Sequence, residues 1–164
     1  MLDINTPLGQ ESLRKEEKMI EYIKKCWDVE IIITNKNKDA ACDGFIVRNS
    51  EIIALFESKC RDLSYEELET YGSWLITYKK LEKCRILSQY LRVPFLGFLN
   101  LNKDNIVLFW KITGDNGKYL FDINHYESET QKTINGGKTI RDNAYLLVEH
   151  AKFVQEIENI NNIK

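Results

Sequence analysis

The sequence predicts an α/β domain in which a central mixed β-sheet is flanked by helices. Three observations carry this. A helical period of apolar residues opens the chain, three strand-like runs follow between residues 29 and 59, and a second, longer helical period begins after residue 64. One of the three runs is apolar on both faces, which is the pattern of a central strand covered by layers on either side.

From Gln10 to Cys26, Leu13, Met19 with Ile20, and Ile23 recur at helical spacing while charges fill the other face, so an amphipathic first helix is expected. Val29 to Thr34 (VEIIIT) reads as a strand that exits through the polar cluster at residues 35–39. Ala41 to Arg48 and Glu51 to Lys59 read as two more strands, joined in a hairpin across Asn49 and Ser50. In the second of these, Ile52, Ile53, Ala54, Leu55 and Phe56 supply apolar side chains to both faces.

Ser64-Tyr65-Glu66-Glu67 has the form of a capping box. It opens a long helical pattern through Leu68, Tyr71, Leu75, Tyr78, Leu81, Cys84, Leu87 and Leu91, with Tyr71 and Trp74 as core or near-core packing. Val93-Pro94 ends that pattern and starts the strand VPFLGFLNL, whose first position tolerates a proline. Ile106 to Ile112 and Lys118 to Ile123 suggest a hairpin around Gly114-Asp115-Asn116-Gly117. The Gly-rich loop Asn135-Gly136-Gly137, an apolar strand or helix start at Ala144 to Val148, and a final helix from Ala151 to Ile160 close the chain. At 164 residues the whole suits one domain, with a core over about 10–101 and a C-terminal elaboration over 102–164.

The bulk numbers exclude several classes. With 43% hydrophobic residues and only two prolines, the chain is not a disordered segment. Cys26, Cys42, Cys60 and Cys84 are widely spread, with no C-x-x-C pair or matching histidines, which argues against zinc and for reduced thiols; His125 and His150 have no metal-spaced partner. The start MLDINTPLGQ lacks the basic and apolar regions of a signal peptide, and no apolar run approaches the ~20 residues of a membrane span, so a cytoplasmic protein without a membrane partner is expected. A net charge of -2 means that any nucleic-acid contact must come from a local cluster of Lys and Arg.

Chemistry enters where the apolar strand ends. Glu57 and Lys59 emerge two residues apart and therefore on the same face. Hydrolysing a phosphodiester calls for a hard cation, Mg²⁺ or Mn²⁺, held by one or two carboxylates, and Glu57 would be one ligand. Lys59 beside the metal would orient the attacking water or stabilise the charge developing on phosphorus. The second carboxylate would be Asp43 on the neighbouring strand. Asp43 shares a face with Glu57 if the hairpin has a three-residue loop at 49–51 or contains a bulge, whereas a plain two-residue loop at Asn49-Ser50 turns it away.

Asp43-Gly44, a short hairpin, and Glu57-Ser58-Lys59 after an apolar strand resemble the D…E-x-K signature of the PD-(D/E)XK nuclease superfamily, phage and restriction-like enzymes included. The resemblance extends to the order helix, three strands, long helix, strand, over roughly residues 10–101. It implies a restriction-endonuclease-like core (α-β-β-β-α-β), here with an extra C-terminal hairpin and helix, and a metal-dependent nuclease of DNA in a bacterial or phage-infected cell. It also implies a glutamate of the first helix as a further metal ligand, for which Glu16, Glu17 and Glu21 compete. Glu16 ranks first, since Glu16…Met19…Tyr22-Ile23 is similar to the E-x-x-A-x-x-Y-L pattern of some members, and Glu17 second. No proline precedes Asp43, and the resemblance does not extend to the chain beyond about residue 102. Arg61, just past the strand end, and Lys79 and Lys80 on the long helix are candidate phosphate contacts, the helix lysines being read otherwise as a solvated face beside Glu82. A homodimer would suit an enzyme that cuts both strands. The alternative is a catalytically silent domain of the same fold that binds nucleic acid or a protein.

Overall fold

The structure, a computed structural model, describes residues 5–35, 39–133 and 136–157. The chain begins with helix α1 (Pro7–Trp27). Thr6 caps it by accepting the Gly9 N–H at 3.1 Å, Pro7 supplies its first turn, and Asp28 closes it in the left-handed conformation. Its buried stripe, Met19, Ile20, Ile23 and Trp27, is the face that the spacing predicts.

Strands β1 (Glu30–Ile33), β2 (Gly44–Arg48) and β3 (Glu51–Arg61) form an antiparallel meander. Asn49 and Ser50, both at positive φ, make a two-residue turn of the kind that matches strand twist. The register then shifts: Val47 faces Ile52 but Ile46 faces Ala54, which leaves Ile53 as the extra residue of a bulge. Of the two arrangements that bring Asp43 to the face of Glu57, the chain uses the bulge.

The capping box forms as expected, Ser64 accepting the Glu67 N–H at 3.1 Å and Glu67 the Ser64 N–H at 2.6 Å. The single long helix does not. Helix α2 (Tyr65–Tyr71) ends at Gly72, left-handed with φ 73°, and strand β4 (Ser73–Thr77) intervenes before helix α3 (Tyr78–Leu91). Trp74 and Ile76 are buried as β4 pairs with a strand far along the chain, whereas Tyr71, expected near the core, is 67% exposed. Long-range pairing thus outweighs the local helical spacing.

Strand β5 (Phe95–Leu101) returns parallel to β3, and β6 (Ile106–Lys111) follows antiparallel. The Gly114–Gly117 turn is present, but residues 118–123 form no strand; the one bridge there joins Thr113 to Tyr119. The C-terminal third holds a long ribbon, β7 (Asn124–Thr133) and β8 (Gly136–Leu147), whose tip includes Gly136 and Gly137 at positive φ; Asn135 lies outside the described residues. In place of the final helix, residues 151–157 make the two-residue strand β9 (Lys152–Phe153) and a 3-10 turn, and residues 158–160 lie outside the described residues.

The resulting mixed sheet has the order β1-β2-β3-β5-β6-β9, and a second sheet runs β4-β8-β7. Helix α1 covers one face of the large sheet over an aromatic cluster in which the Trp27 ring lies 5.4 Å from Phe98 and 5.1 Å from Phe109. Trp27 Nε1–H donates to Val154 O at 3.0 Å, so the indole is buried without an unmade hydrogen bond. On the other face, α3 and the small sheet pack through Leu81, Cys84, Trp74, Ala144 and Leu146 against Leu55, Leu99 and Trp110. Gly97 has no room for a Cβ, which would meet Trp74 at 2.8 Å, and so lets the Trp74 ring press on β5. Among the described residues no helix is long and apolar enough to cross a membrane.

Candidate active site

The site forms where β2 stops and β3 runs on, between the layer of α1 and the layer of α3. Alternation places Leu55, Glu57, Lys59 and Arg61 toward α3, and Phe56, Ser58 and Cys60 toward α1. Asp43 lies one step beyond the Gly44–Phe56 pair. Its N–H donates to Phe56 O at 2.9 Å, its carbonyl accepts from Thr34 N at 2.9 Å, and Thr34 Oγ1 holds Cys42 O at 2.6 Å. Backbone bonds on both sides therefore fix the direction of the Asp43 side chain. Gly44 is required for this packing, since a Cβ there would meet Ile32 O at 2.6 Å and the Phe56 ring at 2.7 Å.

Asp43 and Glu57 are 6% and 1% exposed. Asp43 Oδ2 accepts the Ser58 N–H at 2.9 Å and the Ser58 hydroxyl at 3.3 Å. The same hydroxyl lies 3.0 Å from Glu16 Oε1, so the first-helix glutamate reaches the site through Ser58. Glu17 is exposed on the outer side of α1 and Glu21 pairs with Lys24 at 2.8 Å, which leaves Glu16 as the helix residue brought to the site. Lys59 Nζ lies 3.2 Å from Glu57 Oε1 and is partly open to solvent.

Lys80 is the largest departure from the sequence reading. It does not lie on a solvated helix face: Nζ sits 2.9 Å from Asp43 Oδ1 and 2.8 Å from Glu57 Oε2, between the two carboxylates. Burial lowers its affinity for a proton, but the charges of Glu57 and Asp43 outweigh this and hold the ammonium above the usual lysine range. Burial pushes Glu57 in its turn above the usual carboxylate range, a rise that Lys59 opposes, Asp43 adds to and Lys80 opposes. Both Glu57 oxygens are sealed from solvent and face an ammonium each, Lys59 at 3.2 Å and Lys80 at 2.8 Å.

Comparisons with protein-family models, curated proteins and solved structures found no match. Arg61 is exposed and its guanidinium donates to its own neighbour, Cys60 O, at 3.2 Å; Lys79 is exposed on α3. Lys83 pairs with Asp39 at 2.7 Å and Arg85 with Glu82 at 3.0 Å. His125 stacks on Tyr78 and contacts Asp142, while His150 stacks on Phe121. The four cysteines are unpaired thiols, and Cys42 is pushed up to about 11 by burial and then by Asp43, which keeps it protonated and unreactive near neutral pH. Among the described residues no three His, Cys, Asp or Glu side chains form a ready-made metal cage.

Sequence reasoning missed Ser58 and the inward course of Lys80. Ser58 stands inside the Glu57-Ser58-Lys59 segment, but alternation sends it to the opposite face, and only the third dimension brings it to Asp43 and Glu16. For Lys80 a signal existed in its spacing four residues before buried Cys84, which sets it at the flank of the packed face of α3.

Proposed function

We propose that this chain is a metal-dependent nuclease that hydrolyses phosphodiester bonds in DNA, built on a restriction-endonuclease-like core. The single observation that carries the reading is the meeting of Asp43, Glu57 and Lys59 at the exit of a central strand, with Glu16 one serine away. The order helix, three strands, a crossover of two helices with β4 between them, and a parallel strand supports it.

The residues present fit a hard divalent cation. Lys80 Nζ stands in for one, within 3 Å of an oxygen on each carboxylate. Mg²⁺ or Mn²⁺ is held by carboxylates together with substrate oxygens, so Asp43 and Glu57 suffice as the protein's direct ligands, with Glu16 adding charge through Ser58. When bound, such an ion neutralises charge building on the phosphate and lowers the pKa of a water. Asp43 is aimed by backbone bonds before any ligand arrives, so little reorganisation is needed. Lys59, anchored beside Glu57 with its ammonium partly open, orients the attacking water and meets the developing negative charge. Arg61, two residues on along the same face, and Lys79 contact the phosphates on either side.

The position of Lys80 favours a second reading, a catalytically silent domain of this fold that binds nucleic acid or a protein, with the carboxylates neutralised permanently. Cleavage of labelled linear, circular and branched DNA and of RNA in Mg²⁺, Mn²⁺ or EDTA separates the two. Metal-dependent cutting lost in Glu57→Ala and Lys59→Ala is expected; no cutting of any substrate by folded protein would support the silent domain.

A further inference from the structure

We propose that Lys80 occupies the cation position of this site and competes with the metal for it, so that metal entry drives its ammonium outward to the substrate phosphate. The inference rests on the nuclease reading and concerns how that site is loaded.

Lys80 differs from Lys59 in origin and reach. Lys59 rises from β3 beside Glu57, whereas Lys80 comes across from α3, with its side chain 32% exposed, and places one nitrogen 2.9 Å from Asp43 and 2.8 Å from Glu57. A dication held by the same two oxygens would share this space with a like charge, which the low-dielectric setting does not permit. The ammonium donates to Asp43 Oδ1 at 2.9 Å and lies 2.8 Å from Glu57 Oε2, so it holds the two oxygens that a dication would need. The flexible four-carbon stem gives Lys80 a way out along α3, where Asp39 and the exposed Lys79 lie on the solvent side.

Two consequences follow. Without metal, Lys80 keeps two buried carboxylates from facing each other uncompensated. With metal, the displaced ammonium gains a partner when a phosphate arrives, so metal and nucleic acid strengthen each other's binding by the same factor in both directions.

The first test uses the wild-type chain. Lysine acylation followed by mass spectrometry is run with and without saturating Mn²⁺, with the exposed Lys138 as internal reference. Mn²⁺ is expected to raise labelling of Lys80 about threefold or more relative to Lys138, as a partly buried, doubly paired ammonium is exchanged for an exposed one. Calorimetric titration of Mn²⁺ into Lys80→Met is expected to show binding about tenfold tighter than wild type, and Asp43→Asn to abolish it. If Lys80→Met does not fold, the labelling result decides alone. Mn²⁺ binding to wild type with Lys80 labelling unchanged or reduced would overturn the competition and leave the metal site standing. Absence of Mn²⁺ binding in both proteins would overturn the competition and the nuclease reading together.

Discussion

Burial raises the Glu57 carboxyl above its ordinary range, and the sign of its effect on stability follows. Between the unfolded and the folded pKa, the unfolded chain has lost the proton while the folded chain keeps it, so this group makes the fold less stable as pH rises. Glu57→Gln removes this titrating group. Its stability relative to wild type is expected to climb with pH from about 4.5 upward, read by urea unfolding at intervals from pH 4 to 7; a constant difference would contradict the burial argument. Lys80→Met leaves buried charge without its counter-ion and is expected to cost about 3 kcal/mol without metal, measured by the same unfolding. Lys59→Ala is expected to lower kcat about 100-fold with little change in Mn²⁺ affinity, because Lys59 acts on water and phosphate and is not a ligand. Asp43, Glu57 and Lys59 were legible in sequence because two short strands and their alternation define a shared face. Lys80 was not, since a lysine on an amphipathic helix reads as solvated until the residue opposite it is known.

At the scale of elements, the β2–β3 hairpin positions the site, and its bulge at Ile53 and the packing of Gly44 are the devices that do so. Gly44→Ala forces β1 and the Phe56 ring aside. It is expected to destabilise by about 2 kcal/mol through overpacking and to weaken Mn²⁺ binding by displacing Asp43, checked by unfolding and titration on the same sample. The first helix, the meander and the capping box were readable because each is local. The break at Gly72 was not. Leu75, Tyr78 and Leu81 continue the helical phase of Leu68 and Tyr71, and the β4 conformation of SWLIT arises only from pairing with β8 some seventy residues later. β7 (NHYESETQKT) escaped for another reason: its part of the ribbon is largely exposed, so no alternation of apolar and polar residues marks it.

At the scale of the molecule, a net charge of -2 gives no general attraction to a polyanion, and affinity must come from the lysines and arginine around the site. Binding of DNA is therefore expected to weaken steeply with salt, and Arg61→Ala and Lys79→Ala each to reduce the log–log salt slope by about 1 at unchanged stability. Slopes equal to wild type would place the phosphate contacts elsewhere. The large sheet ties these scales together: it carries Glu57 and Lys59 on β3 beside Asp43 at the start of β2, packs α1 with Glu16 on one face and α3 with Lys80 on the other, and so brings four stretches of chain to one point. The measurement that tests this most directly is an anomalous-difference map from crystals soaked in Mn²⁺. A peak between the Asp43 and Glu57 carboxylates, with Lys80 moved outward, is the expected result; no peak, with Lys80 still bridging the two carboxylates at full Mn²⁺ concentration, would contradict the account.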